Sequence, residues 1–192
     1  NGHYEMVGIK HDVPFKTFNN GFPYDILVGI EQVTGRRVVG NKCCIDDAII
    51  QELGERQVSY GSLIIYTSAD SDLQVAAHED CIPINTLHQY CERIRELTLK
   101  DEWRVGRVIA RPFIGKNSEE GFTRTANRRD FSRLPDENNL LSKMKKSGLN
   151  VAAVGKIEDI FANQGITTAV HTKDNMDGIR KTLDYMNEID SG

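Results

Sequence analysis

Gly61-Ser62-Leu63-Ile64-Ile65-Tyr66-Thr67-Ser68-Ala69-Asp70-Ser71 joins an apolar run to a cluster of short hydroxyls and a carboxylate. A run of β-formers bounded by glycine and a polar loop predicts a buried strand, Ser62 to Tyr66. Upstream, Phe22-Pro23-Tyr24-Asp25 opens a helix that carries Ile26, Ile30 and Val33 at helical spacing and stops at Gly35. Arg37-Val38-Val39 follows as a short strand. Asp46 is placed to cap a second helix through Ile49, Ile50 and Leu53, closed by Gly54. Downstream, Leu73 to Ala77 predicts another strand. A third helix over Asn85 to Leu99 puts Leu87, Cys91, Ile94 and Leu97 on one face. Val105 to Phe113 is a strand expected to end at Pro112. Alternating helical and extended segments indicate an α/β or α+β fold.

Gly115 to Glu137 is long, polar and charged, with little hydrophobic periodicity, as functional or disordered loops are. Beyond it the pattern tightens. Leu140, Leu141 and Met144 predict a helix stopped at Gly148. Val151 to Val154 predicts a buried strand ending in Gly155-Lys156. A short helix around Asp159-Ile160-Phe161 and a last helix over Asn175 to Ile189 complete a β-α run like part of a doubly wound sheet. The shift near Pro135 marks the internal boundary.

The chain has 192 residues, 39% hydrophobic and 27% charged, with formal net charge −4. That composition is globular, and the acidic balance argues against a general nucleic-acid or anionic-membrane surface. No apolar run approaches the ~20 residues that span a bilayer. The N-terminal Asn1-Gly2-His3-Tyr4-Glu5 lacks the basic-then-apolar pattern of a signal peptide. Cys43, Cys44, Cys81 and Cys91 fit neither a zinc knuckle nor a redox C-x-x-C pair, so reduced thiols in a cytoplasmic protein are expected. His3, His11, His78, His88 and His171 show no metal-binding spacing.

Arginine is concentrated in one window: Arg104, Arg107, Arg111, Arg124, Arg128, Arg129 and Arg133. Guanidinium matches phosphate oxygens with paired hydrogen bonds. Arg107 and Arg111, four apart on a strand, share a face. A solvated basic face is the plain alternative. Tyr66-Thr67-Ser68-Ala69-Asp70-Ser71, just past a buried strand, suits sugar hydroxyls or is simply a polar turn. Lys156 lies where α/β sheets place ligand groups, at a strand's carboxyl end.

These segments resemble the phosphopentomutases of the alkaline phosphatase superfamily. The matching stretches, in order, are Gly2-His3-Tyr4-Glu5, Thr34-Gly35-Arg36-Arg37-Val38-Val39-Gly40-Asn41, Tyr66-Thr67-Ser68-Ala69-Asp70-Ser71, Ala76-Ala77-His78-Glu79 and Gly106-Arg107-Val108-Ile109-Ala110-Arg111-Pro112-Phe113. Arg124-Thr125-Ala126-Asn127-Arg128-Arg129-Asp130-Phe131, Val154-Gly155-Lys156-Ile157, Asp159-Ile160-Phe161, His171-Thr172-Lys173 and Asp177-Gly178 continue the series. The resemblance implies an α/β protein: an α+β cap with a mixed sheet at residues 14–137, flanked at 1–13 and 138–192 by β-α segments of an alkaline-phosphatase-like core.

The implied activity of the full-length enzyme is interconversion of ribose or deoxyribose 1-phosphate and 5-phosphate through a 1,5-bisphosphate, with two Mn2+ ions and a bisphosphate sugar activator. By the same resemblance, Ser68 and Asp70 meet the sugar hydroxyls with Tyr66 beside them. Arg107 and Arg124 hold the distal phosphate, Ile109 packs near the sugar, and Lys156 approaches from the core side. The expected partners are the small sugar phosphate and the enzyme's own core domain, with no nucleic acid and no membrane.

The sequence departs from the family in three places. The nucleophilic threonine should lie just before residue 1, and Asn1 stands where the second threonine of its run would be. The metal ligands have no counterpart here, so the chain is expected to be inactive alone. Cys43-Cys44-Ile45-Asp46-Asp47 replaces a small polar loop, and Asp72 replaces an apolar residue near the sugar site, where it could repel phosphate or shift sugar preference. Two other classes of function stand beside this one: a stand-alone sugar-phosphate binding module, and a nucleic-acid binder using the arginine loop. The acidic total and the lack of interleaved aromatics disfavour the last.

Overall fold

A computed structural model describes residues 2–10, 13–44 and 47–189. Asn1, His11, and Asp46 with its expected helix cap lie outside the described residues. The chain divides into two compact units: Phe15–Phe131, and Asn1–Pro14 with Ser132–Gly192. The second unit opens the chain with α1 (Gly2–Met6).

In chain order the Phe15–Phe131 unit carries α2 (Tyr24–Thr34), β1 (Val38–Cys43), α3 (Ala48–Tyr60), β2 (Leu63–Thr67), β3 (Asp72–His78), α4 (Ile84–Leu97), β4 (Arg107–Ile114) and β5 (Thr123–Arg124), and β6 (Arg129–Ser132) closes the series. The sheet order is β1-β2-β3-β4-β5, with β6 also on β4. β1–β2 and β3–β4 are parallel, whereas β2–β3 and β4–β5 are antiparallel, so the sheet is mixed.

Strand alternation sorts the side chains into two layers. Leu63, Ile65, Leu73, Val75, Ala77, Val108 and Ala110 face one way and pack with Ile26 and Ile30 of α2 and Leu87, Cys91 and Ile94 of α4. Ile64, Tyr66, Ala76 and Phe113 face the other way, against Ile49 and Ile50 of α3 and Phe122. α2 stops where expected, at Gly35, whose φ of 67° is left-handed and whose N–H bonds the Glu31 carbonyl at 2.8 Å.

Three expectations need correction. α3 does not end at Gly54; it runs two turns further, to Gly61. Gly54 is buried in mid-helix because the Phe122 ring lies against it: a Cβ there would stand 2.5 Å from the ring. β4 does not end at Pro112 but continues to Ile114. Pro112 stays in the ladder as an acceptor, its carbonyl taking the Thr125 N–H at 3.0 Å. The segment Gly115 to Glu137 is not featureless, since β5 and β6 within it both pair with β4. Pairing to an existing strand needs little apolar periodicity, so two short polar strands left no signal.

In the other unit, Tyr4 of α1 is buried; its hydroxyl donates to the carbonyls of Arg133 (3.2 Å) and Ile160 (3.1 Å). α5 (Leu140–Lys146) is capped by Asn139, whose side chain accepts from Ser142 N–H. β7 (Ala152–Val154), α6 (Ile157–Ile160) and β8 (Thr168–Val170) form a β-α-β unit with parallel strands, Ala153 opposite Ala169. α7 (Asn175–Glu188), capped by Asp174, leaves Met176, Ile179, Leu183 and Met186 exposed. No helix among the described residues is long and apolar enough to cross a membrane.

Candidate functional site

Past the part of the second sheet layer that α3 covers, the same face turns polar. The register sets Tyr66 beside Gln74, Gln74 beside Ile109, and Asp72 beside Arg107. Arg107, Ile109 and Arg111 alternate outward from β4 on that face. Antiparallel pairing of β5 with β4, Phe113 opposite Arg124, brings in a further guanidinium from beyond Gly121.

The guanidiniums form one group with three carboxylates. Arg107 lies 3.5 Å from Asp130 and 3.7 Å from Asp70. Arg128 grips Asp130 with two parallel hydrogen bonds, at 2.7 and 2.8 Å. Arg124 pairs with Asp47, and its NH2 reaches the Tyr66 hydroxyl at 3.3 Å. Burial pushes the Tyr66 phenol above its ordinary pKa, while the nearby Arg124 and Arg111 charges pull the other way. The contacts of Arg107 are loose, and Asp70 is 79% exposed. Ion pairs of that kind stabilise little and give way readily to a better anion.

Arg111 is half-buried, and its Nε donates to the neutral amide oxygen of Gln74 at 2.8 Å. Its pKa is lowered first by burial and next by the cations of Arg128 and, less, Arg124. A guanidinium bonded to a neutral amide and crowded by like charges favours an incoming anion. Sequence reasoning noted that Arg111 shares a face with Arg107 but left it out of the site. Arg128 stood in the arginine window without a role of its own, and Asp130 and Asp47 were missed, because their roles depend on how the loop folds back.

Ser68 and Asp70 occupy the turn between β2 and β3. Ser68 N–H and Ser68 Oγ both donate to Asp72, at 2.9 Å each, and Asp70 N–H donates to Ser68 Oγ at 3.2 Å. The structure therefore gathers Tyr66, Ser68, Asp70, Arg107, Ile109 and Arg124 on one sheet face and its adjoining turn. Lys156 belongs to the other unit, exposed at the N-cap of α6 just past β7.

Two carboxylates tie down the arginine-bearing loop. Glu79 accepts from Thr125 Oγ1 and, at 3.0 Å, from Asn127 Nδ2. Glu55 accepts from Ser118 N and Oγ, both at 2.8 Å. The Thr125 and Asn127 bonds lower the Glu79 pKa, and the two Ser118 bonds lower that of Glu55. A depressed folded-state pKa means the tie is whole above the unfolded-state value and is lost as pH falls through the folded-state one. Protection of the Ser118 backbone amide and of the Asn127 side-chain amide, measured against intrinsic exchange, should therefore fall as pH drops below the usual glutamate range. A Glu55→Gln/Glu79→Gln protein should show no such step beyond intrinsic exchange.

A cleft of about 490 Å3 in the other unit is lined by Val154, Thr172, Asp174, Ile179 and Leu183. It gathers no cations, so the arginine face is the better anion site. Among the described residues no three His, Cys, Asp or Glu side chains gather to hold a metal ion. The donor sets described thus do not fit the implied manganese pair.

No family model matches the chain. It is 55% identical over 191 residues to a phosphopentomutase of Clostridium novyi, 53% identical over 191 to one of Clostridioides difficile, and 52% identical over 191 to one of Alkaliphilus oremlandii. Each match covers 100% of this chain and 48% of the relative, so the chain spans about half the length of the curated relatives it matches.

Proposed function

We infer, from a chain that belongs to the phosphopentomutase family and spans about half the length of its relatives, that the Phe15–Phe131 unit is the cap that reads the sugar phosphate. The observation that carries this is the meeting of guanidiniums from β4 and from beyond Gly121 on one sheet face, beside Ser68 and Asp70.

Arg107 and Arg124, with Arg111 between strand and loop, bind the phosphate distal to the reacting end. Ser68 and Asp70 bind the sugar hydroxyls, and Tyr66 and Ile109 form the floor beneath the ring. Lys156 serves from the core segments, residues 1–13 and 138–192. The longer enzyme interconverts ribose or deoxyribose 1-phosphate and 5-phosphate. A phosphothreonine outside this chain gives its phosphoryl group to the free hydroxyl, and the 1,5-bisphosphate returns the other. Manganese, a bisphosphate activator and a cytoplasmic setting belong to that longer enzyme. Its remaining core covers the apolar stripe of α7.

Positioning and charge neutralisation dominate phosphoryl transfer, and these residues supply both. The sugar must present each end in turn, so a cap that grips one phosphate and leaves the far end open suits a mutase. This chain alone then binds without turnover.

Calorimetric titration of the chain with ribose 5-phosphate tests the reading. The expected Kd is about 1 mM or tighter, with unphosphorylated ribose at least tenfold weaker. A folded chain that takes up no ribose 5-phosphate at about 10 mM refutes it.

A further inference from the structure

Asp72 is 3% exposed, at the start of β3, in register with Arg107. It does not point at a ligand as a bare charge. Its Oδ1 accepts the Ser68 N–H and its Oδ2 the Ser68 hydroxyl, each at 2.9 Å, with Thr67 Oγ1 3.3 Å from Oδ1. The carboxylate is turned into the turn it organises.

A serine hydroxyl has one proton and two lone pairs, and a carboxylate only accepts. The Ser68 proton is thus committed to Asp72. One lone pair takes the Asp70 N–H at 3.2 Å. What Ser68 Oγ can still offer is a single acceptor lobe, fixed in direction by two hydrogen bonds.

We propose that Asp72 is a specificity-positioning residue: by holding the Ser68 proton, it makes Ser68 an obligate acceptor that selects a sugar carrying a hydroxyl donor at that point. The proposal rests on the sugar-phosphate reading of this face. It assigns Asp72 no contact with the sugar; it acts through Ser68. A site built to bond a hydroxyl rejects the analogue that lacks it, because its own polar group is then left without a partner.

Asp72→Asn separates this from mere structural support. The amide oxygen can still accept from Ser68 N–H, so the turn is kept. The amide NH2 donates to Ser68 Oγ and releases the serine proton; with the Asp70 N–H on the other lone pair, the fixed acceptor becomes a donor. Calorimetric titrations with ribose 5-phosphate, its 2-deoxy and 3-deoxy analogues, and inorganic phosphate give the readout. The natural chain should prefer ribose 5-phosphate over one deoxy analogue by about fivefold or more. Asp72→Asn should lower that ratio about threefold, because the sugar hydroxyl loses its acceptor there, with inorganic phosphate affinity unchanged.

An unmoved ratio, or a loss of phosphate affinity in step with sugar affinity, overturns the proposal. Ser68→Ala with Asp72 intact gives a second route if the Asn variant does not fold: the same ratio must collapse, and its survival is equally fatal. A natural chain that binds ribose 5-phosphate without discriminating ends this inference alone. One that binds no sugar phosphate ends the functional reading with it.

Discussion

Phe122→Ala should destabilise the Phe15–Phe131 unit by about 3–5 kcal/mol, the range for emptying a buried phenylalanine site. The ring is 3% exposed and stands edge-on to Phe113, at 5.4 Å between centroids, and to His78, at 6.4 Å. Gly54 leaves the room it occupies on α3. The backbone of Phe122 is bracketed as well: its N–H donates to Gln51 Oε1 at 2.9 Å, and its carbonyl accepts from Gln51 Nε2. Helix α3 thus clamps the loop by ring and by backbone, two residues before Arg124. Urea melts should show the loss of stability, and ribose 5-phosphate affinity should fall as well, because Arg124 loses its platform. Gly54→Ala should reproduce part of the effect from the opposite side, pressing a methyl into the ring at a cost of about 1–3 kcal/mol. A Phe122→Ala protein within about 1 kcal/mol of the natural chain would mean that the loop is held elsewhere.

The same contact shows where sequence reading stops. Ile26, Ile30 and Leu63 to Tyr66 announced their elements through period and burial, because water itself enforces those patterns. Gly54 announced a helix stop, since glycine is usually read for its backbone. Its role here is the absent side chain, and that depends on a phenylalanine 68 positions away. Pro112 misled in the same manner: its missing N–H matters only if a neighbour requires it, and Thr125, just past β5, uses its carbonyl. β8 gave too little signal, being three residues long with exposed Thr168 at its head. At the site, residue type was legible and pairing was not. Arg107 and Arg124 could be singled out. That Asp130 would be shared by Arg107 and Arg128, or that Asp72 would turn toward Ser68, follows from register and turn geometry.

Arg107→Ala should weaken ribose 5-phosphate binding by about a hundredfold, equivalent to about 2.7 kcal/mol. The magnitude reflects two losses in one substitution. A guanidinium bond to phosphate disappears, and charge-assisted bonds of this type contribute about 1.5–3 kcal/mol. Asp70 and Asp130 also lose the cation between them. Asp130 is only 10% exposed and keeps Arg128, but Asp70, at 79% exposure, then faces the phosphate as uncompensated charge. Arg107→Lys keeps the charge without the planar fork and should lose less, about tenfold. Pairing Asp70→Asn with Arg107→Ala should recover part of the phosphate affinity while leaving sugar discrimination poor, because Asp70 is itself read as a hydroxyl ligand. Titrations at rising salt separate the contributions: screening should shrink the Asp70 penalty and leave the lost hydrogen bonds. If Arg107→Ala binds ribose 5-phosphate as the natural chain does, with circular dichroism unchanged, the phosphate lies elsewhere on the molecule.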